Sequence, residues 1–430
     1  MSNEAMAFLV FCGGMVLLLG IGMNMGLALV LIGAGMAWVL DFWDAQLLAQ
    51  NLVAGVDSFP LLAVPFFILA GELMNAGGLS RRIIDVAQAW FGHVGGGLGY
   101  VAIAAAVLMA SMSGSALADT AALATILLPM MRERGYPMNT SAGLIASGGI
   151  IAPIIPPSMP FVIYGVTTNT SISALFMSGI APGLLMGVAL LVTWKLVMRR
   201  LDLPAEPAVP WAGRLRAVGR AFWALLMPVI IIGGMKTGVF TPTEAAVVAA
   251  FYALAIALFV HREMKLADLY PVLLRAARTT AIVMFLCAGA QVVSYMISLA
   301  DVTTVLAGLL GSLVESPRLL MVAMMLALVL IGTALDLTPT ILIFAPVMLP
   351  LAVKAGIDPV YFGLMFILNG AIGLITPPVG TVLNVVAGVG RISLAGVIRG
   401  VNPFLAAYLV VLSLLVAVPA VVTMPLAWMR

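Results

Sequence analysis

The 430-residue chain is 63% hydrophobic and only 9% charged, with a mean hydropathy of +1.19. A soluble domain carries about 25% charged residues, so composition excludes an ordinary soluble protein. The net charge of +3 comes from residues that flank apolar runs, which excludes a basic stripe for nucleic acid and points to a membrane topology.

In chain order, residues 6–40 read as two apolar helices, with no basic n-region or cleavage site to suggest a removed signal peptide. A short amphipathic segment follows at 45–56, then an apolar run at 59–76 and a charged connector, LSRRIIDVAQAWFGH. The apolar stretch 101–131 is interrupted at SMSGSALAD and leads to IASGGIIAPIIPPS, which carries Pro156-Pro157. After the run 175–198 comes a soluble-looking linker, 201–219, with prolines at 204, 207 and 210. The order then recurs: runs at 222–238 and 245–260, an amphipathic segment at 266–278, and a run at 280–299. A second interrupted stretch, 319–351, breaks at GTALDLTPT and precedes ILNGAIGLITPPVG, with Pro377-Pro378, and a last run at 404–428.

The two Pro-Pro segments lie 221 residues apart, and Pro129/Pro350, Gly135/Gly356 and Gly149/Gly370 share that spacing. A double proline removes two backbone donors and clashes with the preceding turn, so no helix runs through it intact. In hydrocarbon, such a break survives only where protein or a water-lined cavity satisfies the freed groups. Breaks at corresponding places in two halves are the usual pointer to a transporter's binding site. The arms of each interrupted stretch read as 14–17 residues, roughly 21–26 Å of helix. That is short of the ~30 Å hydrocarbon core and predicts re-entrant hairpins.

No Lys or Arg precedes Arg81. If the basic clusters are cytoplasmic, sixteen of the twenty basic residues lie inside, leaving Lys236, Arg318, Lys354 and Arg430 outside. Both termini are then external, and the hairpins enter from opposite sides. The fold class predicted is therefore an all-α polytopic membrane protein built from two inverted repeats, 1–200 and 220–430.

The chemistry-bearing residues gather at the breaks. The first hairpin tip offers Ser113, Gly114, Ser115, Asp119 and Thr120, and its Pro-Pro segment offers Ser147, Gly148, Gly149 and Ser158. The second offers Thr333, Asp336, Thr338 and Thr340, with Asn369, Gly370, Gly373, Thr376 and Thr381 opposite. Hydroxyl, amide and main-chain oxygens suit a hard monovalent cation such as Na⁺. The half-helix N-termini suit an anion. The plain alternative for the small polar residues is close helix packing. For Asp119 and Asp336, a costly intramembrane carboxylate stands against a helix-capping role. Glu72 reads as structural or ion-linked, Glu244 as a helix N-terminal charge, His93 and His261 as interfacial, and Cys12 and Cys287 as packing residues.

At SGSALADTAALATILLPMMRERGYP, ASGGIIAPIIPPS, ALDLTPT and GLITPPVG the chain resembles the large, DctM-type membrane subunit of tripartite ATP-independent periplasmic (TRAP) transporters. The resemblance covers essentially the whole chain and is nearest to the subgroup that moves sugar-derived acids. It implies an elevator-type fold, with scaffold helices at about 1–56 and 220–278. Transport parts would lie at about 57–200 and 279–430, with hairpins 97–131 and 317–353. It implies Na⁺-coupled import of an organic acid (sugar acid or C4-type carboxylate) across the bacterial inner membrane, with no other cofactor. The implied partners are a separate small four-helix membrane subunit and a periplasmic substrate-binding protein, besides membrane lipid. Carried over residue by residue, one Na⁺ site would use Ser113, Ser115, Ser147 and Gly149, and the other Asp336, Thr338, Asn369, Gly370 and Thr376. Substrate would meet Gly114, Pro156, Pro157, Ser158, Thr340, Pro377, Pro378 and Thr381.

Rival readings are a stand-alone Na⁺-coupled dicarboxylate carrier, a membrane-embedded enzyme and a channel. The chain has no HExxH, P-loop or GxSxG and no His within a span, which argues against an enzyme and against ATP drive.

Overall fold

The computed structural model describes residues 3–199, 207–301 and 316–429, and every regular element among them is a helix. Eight helices among the described residues are long and apolar enough to cross a membrane, as the hydropathy of the chain requires. Residues 201–206 of the expected linker lie outside the described residues. Its remainder is shorter than expected, because α11 (Trp211–Lys236) already begins behind Pro210. Proline is preorganised for such a helix start, and its missing N–H costs nothing there.

One set of helices packs crosswise between the two halves of the chain. α2 (Met25–Val39) lies on α13 (Leu266–Leu299), α12 (Pro242–Ala255) lies on α4 (Ala63–Ala76), and α4 touches α13. Here the halves differ. The amphipathic segment α3 (Ala45–Ala54) is split from α4 by extended Ser58 and a 3₁₀ turn opened by Phe59-Pro60. Its counterpart runs without a break into the 34-residue α13, although the sequence suggests two segments. The split in the first half lets Gly55 press onto α13, where an added Cβ would meet the Cys287 carbonyl oxygen at 2.8 Å. Glu72 on α4 pairs with Arg275 on α13 at 2.8 Å, a contact that joins the two helices. Glu244 closes a capping box with Thr241 at the start of α12, as expected of a helix N-terminal charge.

The second set contains the two interrupted stretches and the two Pro-Pro segments. α6 (Gly97–Ser113) and α7 (Ala116–Glu133) meet at Gly114-Ser115; α14 (Pro317–Ala334) and α15 (Leu337–Lys354) meet at Leu335-Asp336. Their arms are 17 or 18 residues, at or one beyond the upper end of the expected 14–17, and the helices run through Pro129, Pro346 and Pro350. Each Pro-Pro segment breaks its helix as required, between α8 (Met138–Gly149) and α9 (Met159–Thr168), and between α16 (Pro359–Gly373) and α17 (Thr381–Gly390). Both Pro-Pro bonds are cis.

These pieces interlock. α7 packs on α17 and α15 on α9, so each hairpin's second arm rests on the half-helix of the other half of the chain. α8 crosses α18 (Leu394–Ala417) where Gly143 and Gly400 bring the two backbones together; a Cβ on Gly143 would strike the Gly400–Val401 peptide. Gly332 and Gly373 do the same for α14 and α16. The run 404–428 is not one helix: it divides at Val418-Pro419, leaving a short α19 (Ala420–Met429).

α10 (Ile172–Met198) is fastened to the start of the first hairpin by Trp194. Its ring is fully buried, its Nε1–H donates to the Gly96 carbonyl at 3.0 Å, and it stacks on Tyr136 at 6.3 Å between centroids. Gly99 leaves the indole room, since a Cβ there would overlap it. Trp194→Ala is expected to cost about 3–5 kcal/mol of unfolding free energy through the cavity it leaves. Trp194→Phe, which keeps most of the volume but orphans the Gly96 carbonyl, is expected to cost about 1–2 kcal/mol. Unfolding in detergent, followed by denaturant or heat, measures both; a Trp194→Phe variant as stable as the wild type would contradict the role of the indole N–H, and equal stability of the two variants would contradict the cavity.

Candidate functional site

The first hairpin tip is a chain of polar contacts around a left-handed glycine. Gly114 (φ +62°) ends α6, and a Cβ on it would come within 2.9 Å of Ser158 Cα and the Met159 nitrogen. The tip therefore sits directly on the first Pro-Pro turn. The Ser115 N–H donates to Ser113 Oγ at 3.2 Å, and Ser113 Oγ–H in turn donates to the Asp119 carboxylate. Ser115 Oγ is the N-cap of α7. The capping role considered for Asp119 thus falls to Ser115. Asp119 lies one turn inside the helix, 2% exposed, with its second oxygen buried and unpartnered. Thr120 Oγ1 and Ser147 Oγ are likewise buried without a partner. Thr120 presses on Gly149, where any Cβ would overlap its side chain. Ser113, Gly114, Asp119, Thr120, Gly149, Pro157 and Ser158 are thereby brought into one cluster. Ser147 has its carbonyl bound by the Tyr408 hydroxyl of α18 at 2.8 Å.

The second tip differs in detail. Asp336 occupies the N-cap position of α15, half-buried, but makes no capping bond with its side chain. Its carbonyl accepts from the Thr340 hydroxyl at 2.8 Å. Thr338 is buried in the first turn. The tip is tied to the second Pro-Pro turn by Gly380 N–H, which donates to the Thr333 carbonyl at 3.2 Å. Asn369 is fully buried and reaches arm α14 rather than the tip, donating Nδ2–H to the Met325 carbonyl at 2.5 Å, with Oδ1 left unpartnered. Gly370 faces Leu337, and the Thr376 hydroxyl donates back to Ile372 at 2.8 Å. Thr381 opens α17 with its hydroxyl unpartnered. Pro156 and Pro157 are buried, whereas Pro378 and Val379 are exposed.

These contacts decide what each oxygen can still do. A hydroxyl that donates to a carbonyl keeps its lone pairs and can coordinate a cation, but has no proton left for a carboxylate. Ser158 (donating to Pro153 at 2.6 Å), Thr340 and Thr376 are in that condition. Thr381 keeps a proton for an anion at the start of a half-helix, where peptide N–H groups and the dipole also favour negative charge. An all-oxygen donor set of hydroxyls, carboxylate, amide and glycine carbonyls fits Na⁺. Among the described residues no group of three or more His, Cys, Asp or Glu could hold a metal ion.

Two supporting residues escaped the sequence reading. Tyr408 stands alone in an apolar run, and only its fold neighbour makes it a partner of Ser147. Arg132, counted only as a flanking charge, donates Nη2–H to the Gly390 carbonyl at 2.6 Å and so caps α17 from the other half of the chain.

The glycine contacts yield a contrast in stability. A Cβ at Gly373 would sit 2.6 Å from Gly332 Cα, backbone that cannot step aside, whereas at Gly71 the nearest atoms are 3.6 Å away. Gly373→Ala is expected to cost about 1–3 kcal/mol of stability by overpacking. Gly71→Ala should stay within about 0.5 kcal/mol. Melting of the two purified variants side by side decides it, and equal melting points would contradict the backbone contact.

Residues 12–421 match the family model for the tripartite ATP-independent periplasmic transporter, DctM component. The chain is 52% identical to the 2,3-diketo-L-gulonate TRAP transporter large permease protein of Escherichia coli, over 99% of this chain and 100% of that protein. It is 40% identical to the C4-dicarboxylate TRAP transporter large permease protein of Pseudomonas aeruginosa, over 87% and 88% of the two chains. It is 39% identical to the sialic acid TRAP transporter large permease protein of Vibrio cholerae, over 94% of each. With that coverage, the chain belongs to the DctM family of TRAP transporter large permeases, multi-pass membrane proteins of organic-acid transport and not enzymes.

Proposed function

We propose that this large permease imports a small organic acid by Na⁺ symport, with Na⁺ and substrate carried together between the hairpin tips and the Pro-Pro turns. One observation carries the reading. Each tip rests against the Pro-Pro turn of its own half, and oxygen atoms remain uncommitted at both breaks: Asp119, Thr120 and Ser147 at one, Asn369 and Thr381 at the other. Burying such oxygens without partners costs about 1–3 kcal/mol each, so their retention beside glycine-lined breaks is explained by a ligand.

In this reading Na⁺ is cargo. Ser113, Ser115, Ser147 and Gly149 hold one ion; Asp336, Thr338, Asn369, Gly370 and Thr376 hold the other. The substrate meets the N-termini of α9 and α17, beside Gly114, Pro156, Pro157, Pro377, Pro378 and Thr381, while Ser158 and Thr340, whose protons are committed, face the substrate's own hydroxyl groups rather than its carboxylate. Thr381 supplies the first hydroxyl donor. The two halves act as inverted repeats about this site, and the hairpin-bearing part moves as an elevator against the helices α2, α4, α12 and α13. The chain sits in the inner membrane with both termini periplasmic. A four-helix small subunit and a periplasmic binding protein complete the system. A sugar acid is the favoured substrate class, because the relative at 52% identity is named for 2,3-diketo-L-gulonate.

Asp336→Ala is expected to abolish Na⁺-dependent uptake while expression and assembly remain normal. Uptake that keeps its sodium dependence in that variant would remove Asp336 from the ion site. In proteoliposomes, accumulation of a sugar acid should require this chain, the small subunit and the binding protein together. Uptake by this chain alone would overturn the tripartite assignment in favour of a stand-alone carrier.

A further inference from the structure

Away from both hairpin tips, three span ends converge on a polar cavity of about 620 Å³. The span 59–76 ends just before α5 (Leu79–Phe91), the span 242–260 ends one residue before His261, and Arg220 lies in the basic first half of α11. Arg81, Arg82, Arg220, His261 and Glu263 line the cavity.

Its floor is built and fixed. Arg82 pairs with Glu263 at 2.6 Å and donates to the Gly78 carbonyl at 3.1 Å, so these two charges neutralise each other. Gly78 (φ +69°) is the only residue type that suits the spot, since a Cβ there would run into the Glu263 carboxylate. The walls, by contrast, carry uncommitted groups. Arg81 and Arg220 are exposed and have no ion-pair or hydrogen-bond partner among the described residues. Both imidazole nitrogens of His261 are buried without a hydrogen bond of normal geometry, the Gly77 carbonyl being the one backbone acceptor beside them. Burial and the adjacent Arg82 charge hold this imidazole below its ordinary pKa; it is neutral at pH 7 and offers one N–H. Asp85 is the remaining acidic group on the lining, so one positive charge is left in excess.

Trp223 and Val260 complete the lining with apolar surface and are 38% and 45% exposed, as side chains at a membrane–water boundary are. A basic pocket between spans at that level is the arrangement that takes phosphate-bearing headgroups. Two guanidinium forks approaching from different helices match the several oxygens of a phosphate better than the two of a carboxylate.

We infer that this cavity binds a phosphate group, gripped between Arg81 and Arg220 with His261 as a third donor, brought by an anionic phospholipid or by free phosphate. Because α5 connects α4 to hairpin arm α6, an occupied site ties that connector to α11.

The test uses the full-length chain in detergent at fixed ionic strength, followed by thermal melting. The probes are dioctanoyl-phosphatidylglycerol, dioctanoyl-phosphatidylcholine and inorganic phosphate. Phosphatidylglycerol or phosphate is expected to raise the melting temperature saturably in the wild type and in Arg216→Gln, which alters a charge on α11 outside the cavity. In Arg81→Gln/Arg220→Gln the half-saturating concentration should rise about thirtyfold, from the ~1 kcal/mol per basic residue typical of such contacts counted for both arginines. Arg81→Lys/Arg220→Lys, which keeps the charge but loses both forks, should fall between. A response to phosphatidylglycerol alone assigns the site to lipid; an equal response to phosphate assigns it to the soluble anion. No saturable shift with either probe, or the same shift with phosphatidylcholine in wild type and both double variants, would overturn the assignment.

Discussion

The structure depends on one constraint: a backbone group freed in an apolar medium must find its partner inside the protein. Among the described residues four helix breaks gather at the candidate site, two at hairpin tips and two at Pro-Pro turns, and their groups are met within the protein. The Gly380 N–H goes to the Thr333 carbonyl, and Gly114 packs on the turn at Pro157 and Ser158. Ser115 caps α7, Tyr408 holds the Ser147 carbonyl, and Arg132 caps α17. Each tip is therefore stable only with its turn in place. Glycine at both contacts follows from the same need, since the backbones must approach within van der Waals distance before a polar group can be shared.

The reciprocal packing extends that dependence across the chain. Because α7 rests on α17 and α15 on α9, neither half can bury its hairpin alone. The crossings at Gly143/Gly400 and Gly332/Gly373 are contacts of backbone with backbone, which leave little freedom to slide. The helices α2, α4, α12 and α13 form their own crosswise cluster, closed by the Glu72–Arg275 pair at 2.8 Å. A cluster rigid within itself, beside a second one equally interlocked, is the condition under which two bodies can move relative to each other without melting.

The helical class and the places of the breaks were legible in the sequence because hydropathy, proline and glycine act locally: Pro156-Pro157 and Pro377-Pro378 break a helix whatever surrounds them. Arm lengths were legible to within a residue or two. A proline inside a membrane helix is tolerated when neighbours re-satisfy the freed carbonyl, so the arms run on past Pro129 and Pro350. The continuity of α13 was hidden: nothing local in 266–299 distinguishes a bend from a straight helix until the packing partner is known. At the candidate site, residue types and spacing singled out Asp119, Asp336 and the glycines as candidates. They could not say which oxygens were already engaged. That Asn369 serves arm α14, and that Tyr408 reaches Ser147 from 261 residues away, are facts of tertiary approach with no local signature.

The commitment of hydroxyl protons divides the proposed site by chemistry. Oxygens whose protons are given to carbonyls, as in Thr340 and Thr376, turn only lone pairs outward and favour positive charge. An anion would find few donors among them until a cation had offset those lone pairs. The exposed second turn, with Pro378 and Val379 at the surface and Thr381 just behind, offers the one hydroxyl of the set beside a half-helix N-terminus that is still free to donate. On the proposed reading, the order of binding follows from this division: Na⁺ first, where lone pairs converge, and the carboxylate second, where a proton and a positive dipole end remain. The coupling of ion to substrate then needs no long-range relay, because the same short turns supply both sets of groups.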